Sequence, residues 1–433
     1  MGVRVVRRER GGQMRGWWSR VRLVLFVPVL AVLAAVAPAS PAAAAPSGFL
    51  IDGFGWGHGV GLSQYGAYGQ AKEGRNALQI VHHYFPAARL SPLRDDADLR
   101  VNVGRSLTSA RLRTVPLAPG GGRWEVAIGS RRVVVAQGAE IALVRSGSTV
   151  EVRIGGRSVG SASSVTVTWA GTRKPGAAGR VPTALEIAPS VGSSFRTDRR
   201  YRYGWLDVGV ADGGLQLVNT VRVHDEYLAG IAEVSASWPA AAQQAQAIAA
   251  RSYALANTGK VRAACRCNVD DGYGGYYDQT FWGFAREQGP KGGNWAAAVR
   301  DTAFGPRYGW ALSYAGQPIS AFYTSSTGGR TQNSEDVWGG VLPWARSVDD
   351  HWSTDPRYNP NGRWATRRVS QASLAAVFGL PDVASVRIVR YVSGAAKEVW
   401  ATSSGGRSVK LKGSTFRSRL GLRSTYITSV RPG

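Results

Sequence analysis

Cysteine is scarce in this chain, since Cys265 and Cys267 are the two cysteines among its 433 residues. So few cysteines exclude a disulfide-stapled scaffold, and the fold must be stabilised by a hydrophobic core. Recognisable catalytic motifs are also lacking, because no GxSxG, HExxH, phosphate-loop or EF-hand sequence occurs. The five histidines are scattered and none has a familiar metal-ligand spacing, which argues against zinc-dependent hydrolysis. We therefore predict no metal site and no cofactor.

Acidic residues are few, 28 against 53 lysines and arginines, so that the formal net charge is +25. A charge of this size favours polyanionic partners, namely nucleic acid, anionic membrane or acidic wall polymers. An arginine-rich proteome explains the same excess without any partner, because arginine far outnumbers lysine. The sequence leaves both interpretations open. Nucleic-acid binding would rest on charge alone and is not predicted.

Residues 1–45 are typical of an export signal. Seven arginines precede an apolar run at 23–36, and small residues with a cleavage site near Ala44 or Ala45 follow it. The run is shorter than the roughly 20 residues of a membrane-spanning helix, which makes an uncleaved membrane anchor the less favoured alternative. We therefore expect an exported protein.

The hydrophobic pattern predicts an α+β fold with antiparallel sheets. Short alternating runs separated by glycine and serine extend over about 99–205 and indicate a β-rich section. One prominent helix is expected over Pro239–Asn257, with Ser237 as its cap. Shorter helices are expected at Ala77–Tyr84 and Ser370–Phe378, and the remaining tail is β-like.

The composition divides the chain into five segments. They are the signal at 1–45, a glycine-rich segment at 46–95, the β-rich section at 96–200, a core at 201–345, and a C-terminal β-rich part of the same domain at 346–433. We expect the segment at 46–95 to pack back onto the core.

Glu233 is the best catalytic candidate because it lies in a turn directly before the prominent helix, between the apolar residues Ile231 and Val234. Desolvation by such neighbours raises the pKa of a carboxyl group and suits it to general-acid work. The N-terminus of the helix acts in the opposite direction, because it favours the charged form. Position alone does not exclude a glutamate that only accepts hydrogen bonds from backbone N–H groups.

Three ordered motifs resemble the SpoIID/LytB family, named after stage II sporulation protein D and the amidase enhancer LytB. They are GFGWGHGVGLSQYGAYGQAKEG at 53–74, VNTVRVHDEYLAGIAEVSASWPAAAQQAQAIAARSYALAN at 218–257, and AFYTSSTGGRTQNSEDVWGG at 321–340. In most relatives the GWGHG motif comes last, after a segment like the LGLRST that lies here at 420–425. The order is that of a circular permutation, which requires Gly53 and Val430 to lie close together.

The resemblance implies a lytic transglycosylase that cleaves between N-acetylmuramic acid and N-acetylglucosamine and leaves a 1,6-anhydro product. The essential glutamate of sporulation protein D falls on Glu233. Because the muramic C6 hydroxyl replaces water in this reaction, no second carboxylate is needed to activate water. Against this, Ala232 and Ser235 differ from the SEMP-like context that is common in the family. The alternative is a non-catalytic wall-binding enhancer of an N-acetylmuramoyl-L-alanine amidase.

Under both hypotheses the partners are peptidoglycan glycan strands, and the location is the cell wall or the extracellular space. Anionic wall polymers and a cell-wall amidase are further candidate partners. A role in sporulation does not follow, because family members also occur outside spore formers.

The resemblance also implies substrate-binding roles for other side chains of the three motifs. These residues are His58, Gln64, Arg251, Tyr323, Ser325, Ser326, Glu335 and Trp338. Structural alternatives remain open for three of them. His58 is equally well explained as a hydrogen-bonded structural histidine, Glu335 as an acid that fixes its loop, and Trp338 as part of the core rather than a platform for a sugar ring.

Relatives carry a cysteine-containing loop that in some of them binds zinc together with a histidine. The corresponding loop, CRCNVDDGYGGYYDQTFWG at 265–283, has no histidine, and its cysteines are one residue apart, so zinc binding is not expected. An exported protein can join such cysteines in a disulfide, although a bridge between residues this close in sequence is strained.

Overall fold

The computed structural model describes residues 45–170, 172–174, 181–195, 199–271 and 278–433. The predicted export signal lies, except for its last residue, outside the described residues, as does the middle of the predicted cysteine loop. None of the helices within the described ranges combines the length and the apolar character that crossing a membrane requires.

The described residues form an α+β fold, which confirms the predicted fold class. The α-helices cover Gln64–Lys72, Ala77–Tyr84, Ala240–Asn257, Phe284–Gln288, Gly292–Asp301, Ser334–Trp338, Gln371–Phe378 and Gly413–Leu420. A π-helix covers Val223–Tyr227, and a 3-10 helix covers His351–Ser353.

Two large, mainly antiparallel sheets share one hydrophobic core. In spatial order, the strands of the first sheet are Arg157–Ala162, Thr149–Ile154, Glu140–Ser146, Ser109–Pro116, Thr183–Ala188 and Arg200–Tyr201. Those of the second are Val269–Asp270, Asp98–Leu107, Gly214–Arg222, Trp205–Ala211, Ser164–Trp169, Trp124–Ile128 and Arg131–Val135.

Smaller sheets complete the fold. One orders Arg367–Ser370, Gly48–Gly53 and Ile427–Pro432, and another orders Gln317–Pro318, Tyr308–Tyr314 and Arg89–Arg94. A third orders Ser385–Arg390, Ala396–Thr402 and Ser408–Lys412, and a parallel pair joins Tyr323–Thr324 to Leu62–Ser63.

The strands that lie between Asp98 and Tyr201 confirm the strand content predicted from the alternating sequence. Val150 and Val152 point into the shared core, whereas Glu151 between them is ion-paired with Arg153 at 2.8 Å. Side chains of a strand alternate between its two faces, so this period of two buries one face and hydrates the other.

The prominent helix begins at Ala240, one residue later than predicted, and ends at Asn257 as predicted. The predicted cap was wrong. Pro239 occupies the N-cap position, and the Ser237 hydroxyl instead lies 2.7 Å from the hydroxyl of Ser235. Proline at this end of a helix is tolerated because the first backbone N–H groups of a helix have no acceptor within it.

This helix lies between two parts of the core. Ala247 and Ala250 pack with the large sheets, whereas Ala245 and Ala249 pack with the helices near the N-terminus. Alanine on both faces lets neighbouring elements approach closely. The helix therefore joins the β-rich core to the segment that contains the GWGHG motif.

The first and the last strand of the described residues, Gly48–Gly53 and Ile427–Pro432, pair with each other in antiparallel orientation. Ile51 lies opposite Val430 and Gly53 lies opposite Ile427. The proximity that a circular permutation requires is therefore present. The permutation itself, like the five segment boundaries, stays a prediction.

The glycine-rich segment 53–61 lies in very close contact with residues 322–327. A Cβ atom on Gly61 would lie 2.1 Å from the carbonyl oxygen of Phe322, and Gly61 has a φ of +78°. The next residue, Leu62, donates its N–H to that same carbonyl at 3.0 Å. Only glycine combines this backbone conformation with so close an approach.

We predict that Gly61→Ala destabilises the protein by about 2–3 kcal/mol more than Gly74→Ala, because overpacking adds to the conformational cost. Gly74 is the matched control, since its φ is +90° and nothing lies within 4 Å of its Cβ position. Urea unfolding of both variants measures the difference. Equal destabilisation would show that the contact with Phe322 is relaxed at no cost.

A buried carboxyl, that of Asp350, connects the N-terminal segment to the rest of the fold. It accepts hydrogen bonds from the hydroxyls of Tyr84 at 2.7 Å, Thr327 at 2.6 Å and Ser353. The Ser353 hydroxyl also lies 2.6 Å from that of Ser63. Burial raises the pKa of Asp350 to about 6, although the hydroxyl donors oppose the shift.

We predict a pH-dependent stability contribution from Asp350. Its pKa is higher in the folded than in the unfolded state, so the contribution is present below about pH 4 and is lost as the pH rises to about 6. The stability of the wild type relative to Asp350→Asn should thus fall by about 3 kcal/mol across this window in urea unfolding experiments.

Asp52→Asn serves as the control of opposite sign. Hydrogen bonds from Thr366 and Ser429 lower the pKa of Asp52, so its contribution is lost as the pH falls. If both variants showed the same dependence on pH, the pKa of Asp350 would not be raised by burial as assigned here.

Candidate active site

Glu233 lines an open cavity of about 670 Å³, here called the Glu233 groove. The groove is lined by Trp56, Gly57, His58, Gln64, Glu233, Asp278, Gln279, Thr280, Tyr323, Thr324, Ser325 and Arg417. All three motifs contribute to this lining, as does one residue from near the C-terminus. The structure therefore brings together His58, Gln64, Glu233, Tyr323 and Ser325 of the predicted site.

The turn that carries Glu233 is held by a short stretch of antiparallel backbone. Ile231 forms a β-bridge with Phe281, and the N–H of Ala232 donates to the carbonyl oxygen of Thr280 at 2.9 Å. The N–H of Thr280 in turn donates to Oε1 of Glu233. The backbone of one segment thereby orients the carboxyl of the other.

The Glu233 carboxyl is largely desolvated and hydrogen-bonded at the same time. Its Oε1 also accepts a hydrogen bond from the Tyr323 hydroxyl at 3.1 Å, and Gln64 Nε2 donates to the main-chain oxygen of Glu233 at 3.3 Å. Burial raises the pKa of Glu233, whereas hydrogen bonds from Thr280, Tyr323 and Gln64 oppose the rise. Desolvation outweighs these bonds, so the carboxyl holds its proton to higher pH than an exposed glutamate does.

The direction of the Tyr323 hydroxyl is set by a chain of hydrogen bonds. Tyr227 donates its O–H to Gln279 Oε1 at 2.8 Å, and Gln279 Nε2 donates to Tyr323 Oη at 3.1 Å. Because Tyr323 Oη already accepts from Gln279, its single proton is directed to Glu233. Burial and the neighbouring Glu233 raise the pKa of Tyr323 well above its ordinary value, so that it remains a donor.

His58 is neutral at physiological pH. Burial and the charge of Arg417 lower the pKa of His58 to about 4. Its Nδ1 accepts the N–H of Val60 at 3.0 Å, which places the ring proton on Nε2. His58 thus makes a structural hydrogen bond and also lines the groove, and its role in binding substrate stays a prediction.

A second cavity of about 410 Å³ adjoins the groove and is here called the Trp338 pocket. It is lined by His58, Gln332, Glu335, Asp336, Val337, Trp338, Gly339, Tyr391, Ala396, Lys397, Glu398, Lys412, Gly413, Ser414, Arg417 and Thr425. His58 and Arg417 line both cavities. The groove and the pocket therefore share a wall formed by these two side chains.

Trp338 is 47% exposed and does not close the core. Its ring rests on Phe322, with 4.6 Å between the ring centroids, and on His58 at 5.1 Å. Glu335 lies in the same pocket, where both of its oxygens accept hydrogen bonds from Arg346 at 2.7 Å. These bonds lower the pKa of Glu335, as the loop-fixing interpretation of this residue requires.

Two of the predicted substrate-binding residues, Arg251 and Ser326, line neither the Glu233 groove nor the Trp338 pocket. Arg251 is 0% exposed and pairs with Asp95 at 2.9 Å in the core, where burial lowers the pKa of Arg251 to about 10. Ser326 is buried, and its backbone forms a β-bridge with Trp56. The observed contacts of both residues are with other parts of the protein, because both side chains are buried.

The structure adds groove residues that sequence reasoning missed. Asp278, Gln279 and Thr280 follow the glycine- and tyrosine-rich loop, where the polar sequence DQT was the available signal. Trp56, which is 57% exposed, lay within the GWGHG motif. No sequence pattern indicated Arg417 as a groove residue, because its helix, Gly413–Leu420, was not predicted.

Among the described residues, no three histidine, cysteine, aspartate or glutamate side chains cluster as metal ligands would. Cys265 and Cys267 are joined in a disulfide. The Glu233 carboxyl, whose pKa is raised, accepts hydrogen bonds from one hydroxyl and one backbone N–H, and Asp278 is a second acid that lines the groove.

Comparison with known proteins finds a family model that matches the part of the chain that contains Glu233. Residues 211–304 match the SpoIID family model, described as stage II sporulation protein. Stage II sporulation protein D of Bacillus subtilis (strain 168) is 27% identical over 218 residues, which is 48% of this chain and 61% of that protein. The predicted resemblance to the SpoIID family is thereby confirmed.

Two further relatives agree. Stage II sporulation protein D of Bacillus amyloliquefaciens is 29% identical over 29% of this chain and 35% of its own length. The amidase enhancer of Bacillus subtilis (strain 168) is 34% identical over 29% of this chain and 15% of its own length. The chain thus spans less than two thirds of each of these relatives. No solved structure matches the chain.

We predict that Tyr323→Phe raises the pKa of Glu233 further, because the variant removes a hydroxyl that donates to the carboxylate. The measurement is a ¹³C NMR titration of protein labelled at the glutamate carboxyl carbons. Tyr203→Phe is the matched control, since the Tyr203 hydroxyl donates to Glu287 at 3.0 Å and not to Glu233. An unchanged pKa of Glu233 in Tyr323→Phe would contradict the proton direction assigned to Tyr323.

Proposed function

We propose that this protein remodels peptidoglycan as a lytic transglycosylase, with Glu233 as both catalytic acid and catalytic base. The observation that carries the proposal is the Glu233 carboxyl, which has a raised pKa and lines an open groove within the segment that matches the SpoIID family. The names of the relatives support a role at the cell wall. The substrate would be the glycan strand.

In the first step the protonated Glu233 donates its proton to the glycosidic oxygen between N-acetylmuramic acid and N-acetylglucosamine. The bond from C1 of the muramic residue to that oxygen breaks, and the leaving sugar departs with a hydroxyl. The Thr280 N–H and the Tyr323 O–H stabilise the carboxylate that remains. The raised pKa of Glu233 supports this step, because it keeps the acid form populated.

In the second step the Glu233 carboxylate takes the proton of the muramic C6 hydroxyl. The C6 oxygen bonds to C1 and closes the 1,6-anhydro ring, and Glu233 is protonated again. The other acid that lines the groove, Asp278, accepts hydrogen bonds from Tyr253 at 2.7 Å and from Arg262. Its engagement with these donors favours a mechanism with one working carboxyl over a hydrolase pair.

The second candidate function is a non-catalytic, wall-binding enhancer of an amidase. The similarity to the amidase enhancer of Bacillus subtilis favours it. The excess of basic over acidic residues, which persists outside the predicted export signal at 1–45, also suits anionic wall polymers. Both functions require export, so we propose a location in the cell wall or outside the cell. Product analysis separates them, because only the enzyme produces anhydro ends.

We predict that the chain from residue 46 onward releases 1,6-anhydro-muramic products from purified peptidoglycan. Glu233→Gln should lower their release at least about a hundredfold, because it removes the only group that transfers protons in the proposed steps. Mass spectrometry of digests of peptidoglycan with and without stem peptides measures the products.

Glu140→Gln is the control, because Glu140 lies on the β-rich section and is ion-paired with Arg111 at 2.9 Å. Its activity should equal that of the wild type. If wild type and Glu233→Gln both released no anhydro products from either substrate, while still binding the wall, the amidase-enhancer function would replace the proposal.

A further inference from the structure

The acids of the Trp338 pocket are mostly neutralised by basic side chains. Glu335 forms two bonds with Arg346 at 2.7 Å, and Glu398 is paired with Lys410 at 3.0 Å. Asp336 is the remaining acid, and Asn333 donates to it at 3.3 Å. The negative charges of the pocket are therefore largely compensated before any ligand enters.

The basic side chains of the pocket have no such partners. Lys397, Lys412 and Arg417 line it, and none of them is ion-paired with a residue of the described ranges. Lys397 and Lys412 are exposed, and the Lys397 ammonium lies 5.8 Å from the ring of Tyr391. The pocket thus has three cationic side chains and one carboxyl without an ion-pair partner among the described residues, that of Asp336. This excess of positive charge favours an anionic ligand.

The pocket also contains an aromatic side chain that is partly exposed, that of Trp338. Trp338 packs against Phe322 and His58 and is still 47% exposed, so part of its ring is open to a ligand. Arg417 lies at the junction and lines both cavities. A ligand that occupies both cavities would therefore contact Trp338, Lys397 and Lys412 on the pocket side of Arg417.

We propose that the Trp338 pocket is a binding subsite for a carboxylate-bearing part of the glycan strand, recognised by Lys397 and Lys412 beside the Trp338 ring. The proposal rests on the proposed function, since it assigns the sugar whose bond is cleaved to the Glu233 groove. Two sources supply this chemistry, the lactyl carboxylate of muramic acid and the carboxylates of its stem peptide.

Binding is measured with the Glu233→Gln protein, so that the result does not depend on turnover. The probes are a denuded tetrasaccharide of alternating N-acetylglucosamine and N-acetylmuramic acid, the same tetrasaccharide with stem peptides, and the neutral tetrasaccharide of N-acetylglucosamine. We expect the acidic probes to bind about tenfold more tightly than the neutral one at low salt, as about 1.4 kcal/mol from charge pairing would give. This preference should weaken as salt is added.

Introducing both Lys397→Gln and Lys412→Gln into the Glu233→Gln protein should abolish the preference for acidic probes. The affinity for the neutral tetrasaccharide should be unchanged. Lys260→Gln is the matched control, because Lys260 is exposed and lines neither cavity, and it should retain the preference. A lysine effect on the denuded probe identifies the lactyl carboxylate, and an effect confined to the peptide-bearing probe identifies the stem peptide.

A preference for acidic probes that persisted in the double lysine variant would overturn the subsite, as would equal affinity of all three probes. Either result is distinct from a failure of the proposed function, which shows as missing anhydro products from the protein with Glu233 intact. The unchanged neutral-probe affinity also excludes misfolding as the cause of a lysine effect.

Discussion

The close contact between the glycine-rich segment 53–61 and residues 322–327 is the constraint on which the rest of the site depends. A Cβ on Gly57 would lie 2.2 Å from the Thr324 hydroxyl oxygen, just as one on Gly61 would overlap the backbone. The contact places the first motif on the third and leaves His58 and Gln64 at the groove. Without it, Glu233 would face solvent on the side that these residues now cover.

The packing around Glu233 determines the electrostatic environment of its carboxyl. Burial by surrounding segments disfavours its charge, while the Thr280 N–H and the Tyr323 hydroxyl keep the charged form accessible. In the proposed mechanism the Glu233 carboxyl loses a proton and regains one in each cycle. Such a carboxyl needs both burial and hydrogen-bond donors, because the protonated and the charged form must each be reached without a large free-energy cost. The supporting groups come from segments 47 and 90 residues away in sequence.

Local sequence signals predicted several elements well. The alternating runs of the β-rich section, the helix Ala240–Asn257 and the helix Gln371–Phe378 follow from periodicity and propensity. Local signals failed where long-range contacts decide. The helix Gly413–Leu420 forms because Phe416 and Leu420 are buried against the C-terminal sheet, and Arg251 lies in the core because Asp95 compensates its charge there.

The sequence by itself determined the three motifs, the family they resemble, Glu233 as the catalytic candidate and the α+β class, because each depends on residue identity or on short-range periodicity. Only the tertiary structure decided which motif residues share a cavity, which of them are buried supports, and how Arg417 and Thr280 enter the site. The physical reason is that burial and hydrogen bonding between distant segments set both the position and the pKa of a side chain. Neither the position nor the pKa of a side chain follows from the residues next to it in the sequence.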